Sequence, residues 1–211
     1  MAPPAIELFQ HVFQPAASAS GPALLLLHGT GGNERDLLPL GPLVAPGAAL
    51  LSPLGRVREN GMPRWFRRIA EGVFDQQDLH ARTLELAGWL DVACPHYELP
   101  RDRVIACGFS NGANIAAAML LLRPGALAGA ILMSPMVPFE PEAPVDLAGV
   151  PVLITAGRSD AMVPGDHPGR LRDLLQAGGA AVEIAWSEGG HTIAPEHVAA
   201  ARRWVKENGW G

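Results

Sequence analysis

The sequence predicts an α/β architecture built on a mostly parallel sheet, and three observations carry that prediction. Short apolar runs recur along the chain, each is ended by a glycine, a proline or a polar turn, and stretches of helical character lie between them. The runs at 23–27, 48–51, 104–107, 130–133, 152–155 and 182–186 show no in–out alternation, so they read as strands buried on both faces. A further strand region surrounds His11. The helical stretches are 78–94, 113–122, 169–177 and 195–208; the last opens on Pro195, a first-turn residue, and stops at Gly209. Strand and helix alternate, which is the pattern of crossover units returning to one sheet.

A chain of 211 residues with 48% apolar and 18% charged residues has enough material for one core and is expected to form one domain over 1–211. The net charge is −5 and no block of five basic residues occurs, so nucleic acid is not an expected partner. Cys94 and Cys107 form neither a CxxC pair nor a disulfide framework, and no metal site is expected. The first residues lack a basic stretch followed by an apolar one, and the longest apolar run, 115–122, is too short to span a bilayer. The expected location is the cytoplasm, without stable membrane insertion.

Chemistry enters at Gly108-Phe109-Ser110-Asn111-Gly112. The G-x-S-x-G pattern is common, but here it follows a strand candidate and opens directly into a helix candidate. That is the setting a nucleophile elbow requires: the serine takes a strained backbone, and its neighbours must be small enough for strand and helix to approach. The turn puts the hydroxyl at a helix N-terminus, where backbone N–H groups favour developing negative charge. A serine hydroxyl needs a base, and the base needs an acid to orient it. Asp160 follows the strand candidate at 152–155, and His191 follows the one at 182–186 behind a Gly-Gly turn. Serine, aspartate and histidine thus occupy three strand exits in that order.

Of the seven histidines, His11, His80, His96 and His197 do not follow a strand exit and a Gly-Gly turn, and His167 precedes the last strand candidate. Asp166 rivals Asp160 but lies further from its strand. The stretch His28-Gly29-Thr30-Gly31-Gly32 after the strand at 23–27 supplies a glycine-rich turn, so the Thr30 and Asn111 backbone N–H groups are the expected oxyanion donors. The same glycines lack the lysine and the spacing of phosphate-binding loops.

Taken together, LLLHGTGGNE, PRWFRRIAEGVFD, VIACGFSNGAN, PVLITAGRSDAMVP and GGHTI resemble, in order and spacing, the small carboxylesterase/phospholipase family of the α/β-hydrolase superfamily, which includes acyl-protein thioesterases. RWFRR resembles its bacterial carboxylesterase branch. The resemblance implies an α/β-hydrolase fold with about seven strands flanked by helices and no large cap domain. It implies Ser110, Asp160 and His191 as catalytic triad, no cofactor, and a possible homodimer. The expected activity is hydrolysis of small-molecule carboxylic esters of short to medium acyl chains, with acyl thioesters or lysophospholipids as alternatives for the same triad. The family often has glutamine where this chain has Asn111; only the main-chain N–H is needed there.

The stretch 55–73 breaks the strand–helix alternation, with five arginines around Trp65 and Phe66. It reads either as a solvated basic loop with its aromatics tucked inward or as a wall of the substrate pocket. On the second reading Met62, Trp65, Phe66 and Met162, together with Met136, are the expected apolar lining, and Phe109 is expected to pack behind the elbow.

Overall fold

The computed structural model describes residues 5–17 and 21–210. Its strands in chain order are β1 (His11–Gln14), β2 (Ala23–Leu27), β3 (Ala49–Pro53), β4 (Val57–Glu59), β5 (Met62–Arg64), β6 (Arg68–Ala70), β7 (Val73–Phe74), β8 (Val104–Phe109), β9 (Gly129–Met133), β10 (Pro151–Gly157) and β11 (Ala181–Ser187). The helices are α1 (Gly41–Val44), α2 (Gln76–His96), α3 (Asn111–Leu122), α4 (His167–Ala177) and α5 (Pro195–Glu207).

Seven strands form the central sheet in the order β1-β3-β2-β8-β9-β10-β11. All neighbours are parallel except β1, which pairs antiparallel with β3 at the edge. The uninterrupted apolar runs are explained by burial on both faces: β2, β3 and β9 are buried at every position. Leu25, Leu27, Ala106 and Leu132 face one layer, with residues of α2, α3 and α4. Leu24, Leu26, Ile105, Cys107 and Ile131 face the other, with α1 and α5. The result is the three-layer α/β architecture that the strand–helix alternation predicts, with the seven strands that the resemblance implies.

From β2 the chain moves to β3 on one side, and β8 lies on the other, so the strand order reverses between β2 and β8. Such switch points leave a crevice at the strands' C-terminal ends. The register pairs Leu27 with Gly108 and Phe109 with Met133, which aligns the ends of β2, β8 and β9 at one edge.

Local details differ from the sequence reading where caps intervene. Helix α2 begins earlier than residue 78 because the Asp75 carboxylate accepts the Asp78 N–H at 3.0 Å, capping the first turn. That bond holds the Asp75 carboxyl below the usual aspartate range. Helix α3 starts directly at Asn111, with no spacer after the serine. The stretch 55–73, read from the sequence as a loop or a pocket wall, carries two short hairpins: β4 and β5 form one antiparallel pair, and β6 and β7 a second. Among the described residues no helix is long and apolar enough to cross a membrane.

Candidate active site

Ser110 sits between β8 and α3 with φ 52° and ψ −115°, a left-handed conformation that a non-glycine residue adopts only when its surroundings force it. The Ser110 N–H donates to Met133 O at 2.8 Å, and Ser110 O accepts from the Asn114 N–H at 3.0 Å. A Cβ on Gly112 would stand 1.9 Å from Leu27 O, and one on Gly108 would stand 2.5 Å from Gly112 O. Only glycine at both positions lets helix, elbow and β2 approach this closely.

Opposite the elbow, two loops are laced together. Arg158 N–H donates to Ser187 O at 2.8 Å and Ser159 N–H to Gly189 O at 3.0 Å, so the turn after β10 is fixed to the turn after β11. Asp160 Oδ1 accepts the Met162 N–H at 2.9 Å and the Val163 N–H at 3.1 Å. Its other oxygen, Oδ2, lies 2.8 Å from His191 Nδ1, and His191 Nε2 lies 2.8 Å from Ser110 Oγ. A carboxylate can only accept, so Nδ1 carries the proton and Nε2 accepts from the serine hydroxyl. The aspartate side chain is 4% exposed and the imidazole 15%, so the pair is largely shielded while Ser110 stays open to the cavity.

The structure therefore brings Ser110, Asp160 and His191 together. It leaves their rivals apart: Asp166 is occupied at the surface by Arg170, and His167 Nδ1 accepts the Val137 N–H at 3.0 Å. Burial drives the Cys107 thiol up to about 12, so this sulfur, three residues before Ser110, is a packing group rather than a nucleophile.

The loop after β2 borders the same cavity. Gly31 N–H is engaged by Pro63 O at 2.9 Å and Gly32 N–H by Gly29 O at 3.1 Å. Thr30 N–H and Asn111 N–H have no acceptor among the described residues, and both residues line the cavity. His28 fixes the loop from beneath. Its Nδ1 donates to Gly29 O at 2.7 Å, which leaves Nε2 to accept the Gly55 N–H at 2.9 Å. Burial lowers the His28 pKa, consistent with this neutral tautomer.

The cavity measures about 420 Å³ and is bounded by both hairpins. Met62, Met136 and Met162 line it, as the sequence suggests. Trp65 and Phe66 do not, and the expectation for them is corrected. They are 2% and 0% exposed: β5 ends at Arg64, and the bend that follows carries both aromatic side chains into the core, while Met62 and Arg64 of the strand face the cavity. Trp65 Nε1 donates to His28 O at 2.8 Å, and its backbone N–H donates to Asn111 Oδ1 at 2.8 Å. The Asn111 side chain thus matters as a tie to the hairpin, besides its main-chain N–H. Phe109 packs against the layer of Ile105, Cys107 and Met133, as expected of it, but it also lines the cavity, with its ring centroid 5.1 Å from that of His191. The period-two alternation Ile105, Cys107, Phe109 puts it on that face at the last position of β8, where the strand reaches the cavity.

Arg64 and Arg68, two of the five arginines in the stretch offered as a pocket wall, also line the cavity, as does Asn114, which sequence reasoning did not single out. Arg64 is 4% exposed; its Nη1 donates to Thr30 Oγ1 at 2.8 Å. Burial pulls its guanidinium below the usual arginine range, opposed by Glu59.

A sequence profile described as Phospholipase/Carboxylesterase matches residues 10–208. The chain belongs to this family. It is a hydrolase, in keeping with its relatives. MhqD of Bacillus subtilis strain 168, named a putative hydrolase, is 46% identical over 198 residues, which cover 94% of this chain and 98% of MhqD. The crystal structure of a Bacillus cereus carboxylesterase superposes with a TM-score of 0.93 at 46% identity, covering 95% of this chain and 94% of that one. A carboxylesterase from Mesorhizobium loti superposes with a TM-score of 0.85 at 34% identity, covering 90% of each chain.

Proposed function

We propose that this hydrolase cleaves carboxylic esters of short to medium acyl chains through an acyl-enzyme on Ser110. The observation that carries the reading is the pair of 2.8 Å contacts linking Asp160, His191 and Ser110 in one line. His191 Nε2 takes the hydroxyl proton as Ser110 Oγ bonds to the ester carbonyl carbon. Asp160 holds the imidazole in the required tautomer and stabilises the imidazolium that forms. The carbonyl oxygen becomes an oxyanion facing the Thr30 and Asn111 N–H groups. Donors of this kind are each worth about 3 to 4 kcal/mol in the transition state. The imidazolium then protonates the leaving alcohol, and water, deprotonated by His191, releases the acid and restores Ser110.

The cavity supports the acyl-chain preference. Its volume of about 420 Å³ and its three methionines with Phe74 and Phe109 suit a compact acyl group, and the two hairpins bound it on one side.

Two measurements test the reading. A fluorophosphonate probe should label Ser110 stoichiometrically, with the modified peptide identified by mass spectrometry; labelling elsewhere, or none, refutes the nucleophile. In a 4-nitrophenyl ester series, kcat/KM should be highest for short to medium acyl chains; a rising rank toward long chains contradicts the cavity argument.

A further inference from the structure

The mechanism above leaves one conspicuous group unused. Arg64 is a buried guanidinium in the wall of the cavity, and burying such a charge is costly unless it is paired and fully hydrogen-bonded. Arg64 is neither. Its Nε has only Phe66 O at 3.3 Å and Glu59 Oε2 at 3.6 Å, and Nη1 is used on Thr30 Oγ1. Nη2 has no acceptor among the described residues, yet it is not one of the side-chain atoms sealed from solvent. Glu59 is shared: the same oxygen accepts from Arg68 Nε at 2.8 Å. Glu59 does not line the cavity, whereas both guanidinium groups do.

The other charged groups at this cavity are few. Glu71 lines it too, but is 73% exposed, and it pairs with Arg68 Nη1. His191 is engaged with Ser110 and Asp160. Asn114 adds a neutral donor: its Oδ1 accepts the Met136 N–H at 2.7 Å, which leaves its Nδ2 for the cavity it lines. The wall beside the proposed oxyanion loop is therefore rich in donors and short of acceptors, and its guanidinium fork is the shape that a carboxylate fits.

We infer that the preferred substrates are small esters that also carry a carboxylate, read by Arg64 with Arg68 at the cavity mouth. The inference rests on the ester-hydrolase reading above. Because Arg64 touches the Thr30 hydroxyl, the carboxylate it binds lies within a few bonds of the ester carbonyl. The reaction itself is unchanged: water adds across the ester, and the products are an alcohol and an acid, one of which bears the second carboxylate.

The test compares kcat/KM within two near-isosteric pairs. Monoethyl butanedioate against ethyl pentanoate places the charge on the acyl side, and butanoyloxyacetate against propyl butanoate places it on the alcohol side. The carboxylated member of at least one pair should be favoured by about tenfold, the order expected from one charge-assisted hydrogen bond. Arg64→Gln should bring that ratio near one, chiefly through KM, and Arg68→Gln should lower it less. Glu59→Gln, which removes the competing negative charge, should raise it. General damage to the hairpin lowers both members of a pair together and cannot produce opposite shifts in the ratio. Hydrolysis without preference in either pair, or a ratio that Arg64→Gln leaves intact, overturns the inference while the esterase reading stands. If none of the four esters is hydrolysed and Ser110 resists the fluorophosphonate, the esterase reading fails first.

Discussion

The two sides of the cavity are held by different forces. On the elbow side, position is set by backbone: the strained Ser110, the contact of Gly112 with Leu27 O, and the lacing of the turns after β10 and β11. On the hairpin side, position is set by side chains, with arginines and acids paired across β4–β7 and aromatics anchored below. The first side leaves little freedom in residue type and the second leaves much. On the proposed reading, chemistry belongs to the first side and substrate choice to the second.

Perturbations of the elbow side should therefore be the most severe. His191→Ala is expected to lower kcat on the order of 10⁶-fold while leaving circular dichroism and Tm near wild type, because the imidazole contributes to the reaction more than to packing. Normal turnover in this variant would mean that another base serves Ser110. Gly112→Ala should cost more than about 4 kcal/mol, seen as insoluble protein or a collapsed urea midpoint, since its Cβ would stand 1.9 Å from a carbonyl oxygen of the core strand. A stable Gly112→Ala protein would show that the elbow has room to relax.

The joint between the two sides is Asn111, whose Oδ1 holds the Trp65 N–H. Asn111→Ala leaves that buried donor unpaired and should lower stability by about 1 to 3 kcal/mol, measured by urea titration. The main-chain N–H at 111 remains, so activity should survive at a reduced level. Complete loss of activity in a folded protein would move the side chain into the chemistry.

The smallest effect concerns pH. Burial lowers the pKa of His28 and of His167 from the ordinary 6.5, so the unfolded chain binds more protons than the folded one below that value. Their contribution is full above pH 6.5 and is lost as pH falls through the lowered values. The urea midpoint should fall between pH 7.5 and 5.5, before Glu34, Asp75 and Asp166, whose pKa values are also lowered, begin to take up protons below their ordinary 4.5 and 3.8. Replacing His167 with Asn should flatten part of that slope; an unchanged slope would assign the effect to other groups.

The same division explains what could be read from the chain. Strands buried on both faces must be continuous apolar runs, and a strained serine must be flanked by glycines, so β2, β8 and the exits bearing Ser110, Asp160 and His191 were legible. The hairpins were missed: Asn60-Gly61, both at positive φ, is a local two-residue turn signal joining 57–59 to 62–64, but Met62-Pro63-Arg64 has no marked β-propensity and hid the second strand. The aromatic pair at 65–66 showed that something was tucked inward, but only the end of β5 at Arg64 and the bend after it decide that Arg64 faces the cavity and Trp65 the core.

The central claim is that Ser110, His191 and Asp160 act as one unit, and a double-mutant comparison tests it most directly. The kcat of Ser110→Ala, His191→Ala and the double variant should be measured on one short-chain ester, with folding checked for each. Each single variant should fall on the order of 10⁶-fold, and the double should fall no further, because a unit can be disabled only once. Wild-type turnover by folded Ser110→Ala, or losses that multiply in the double variant, would contradict it.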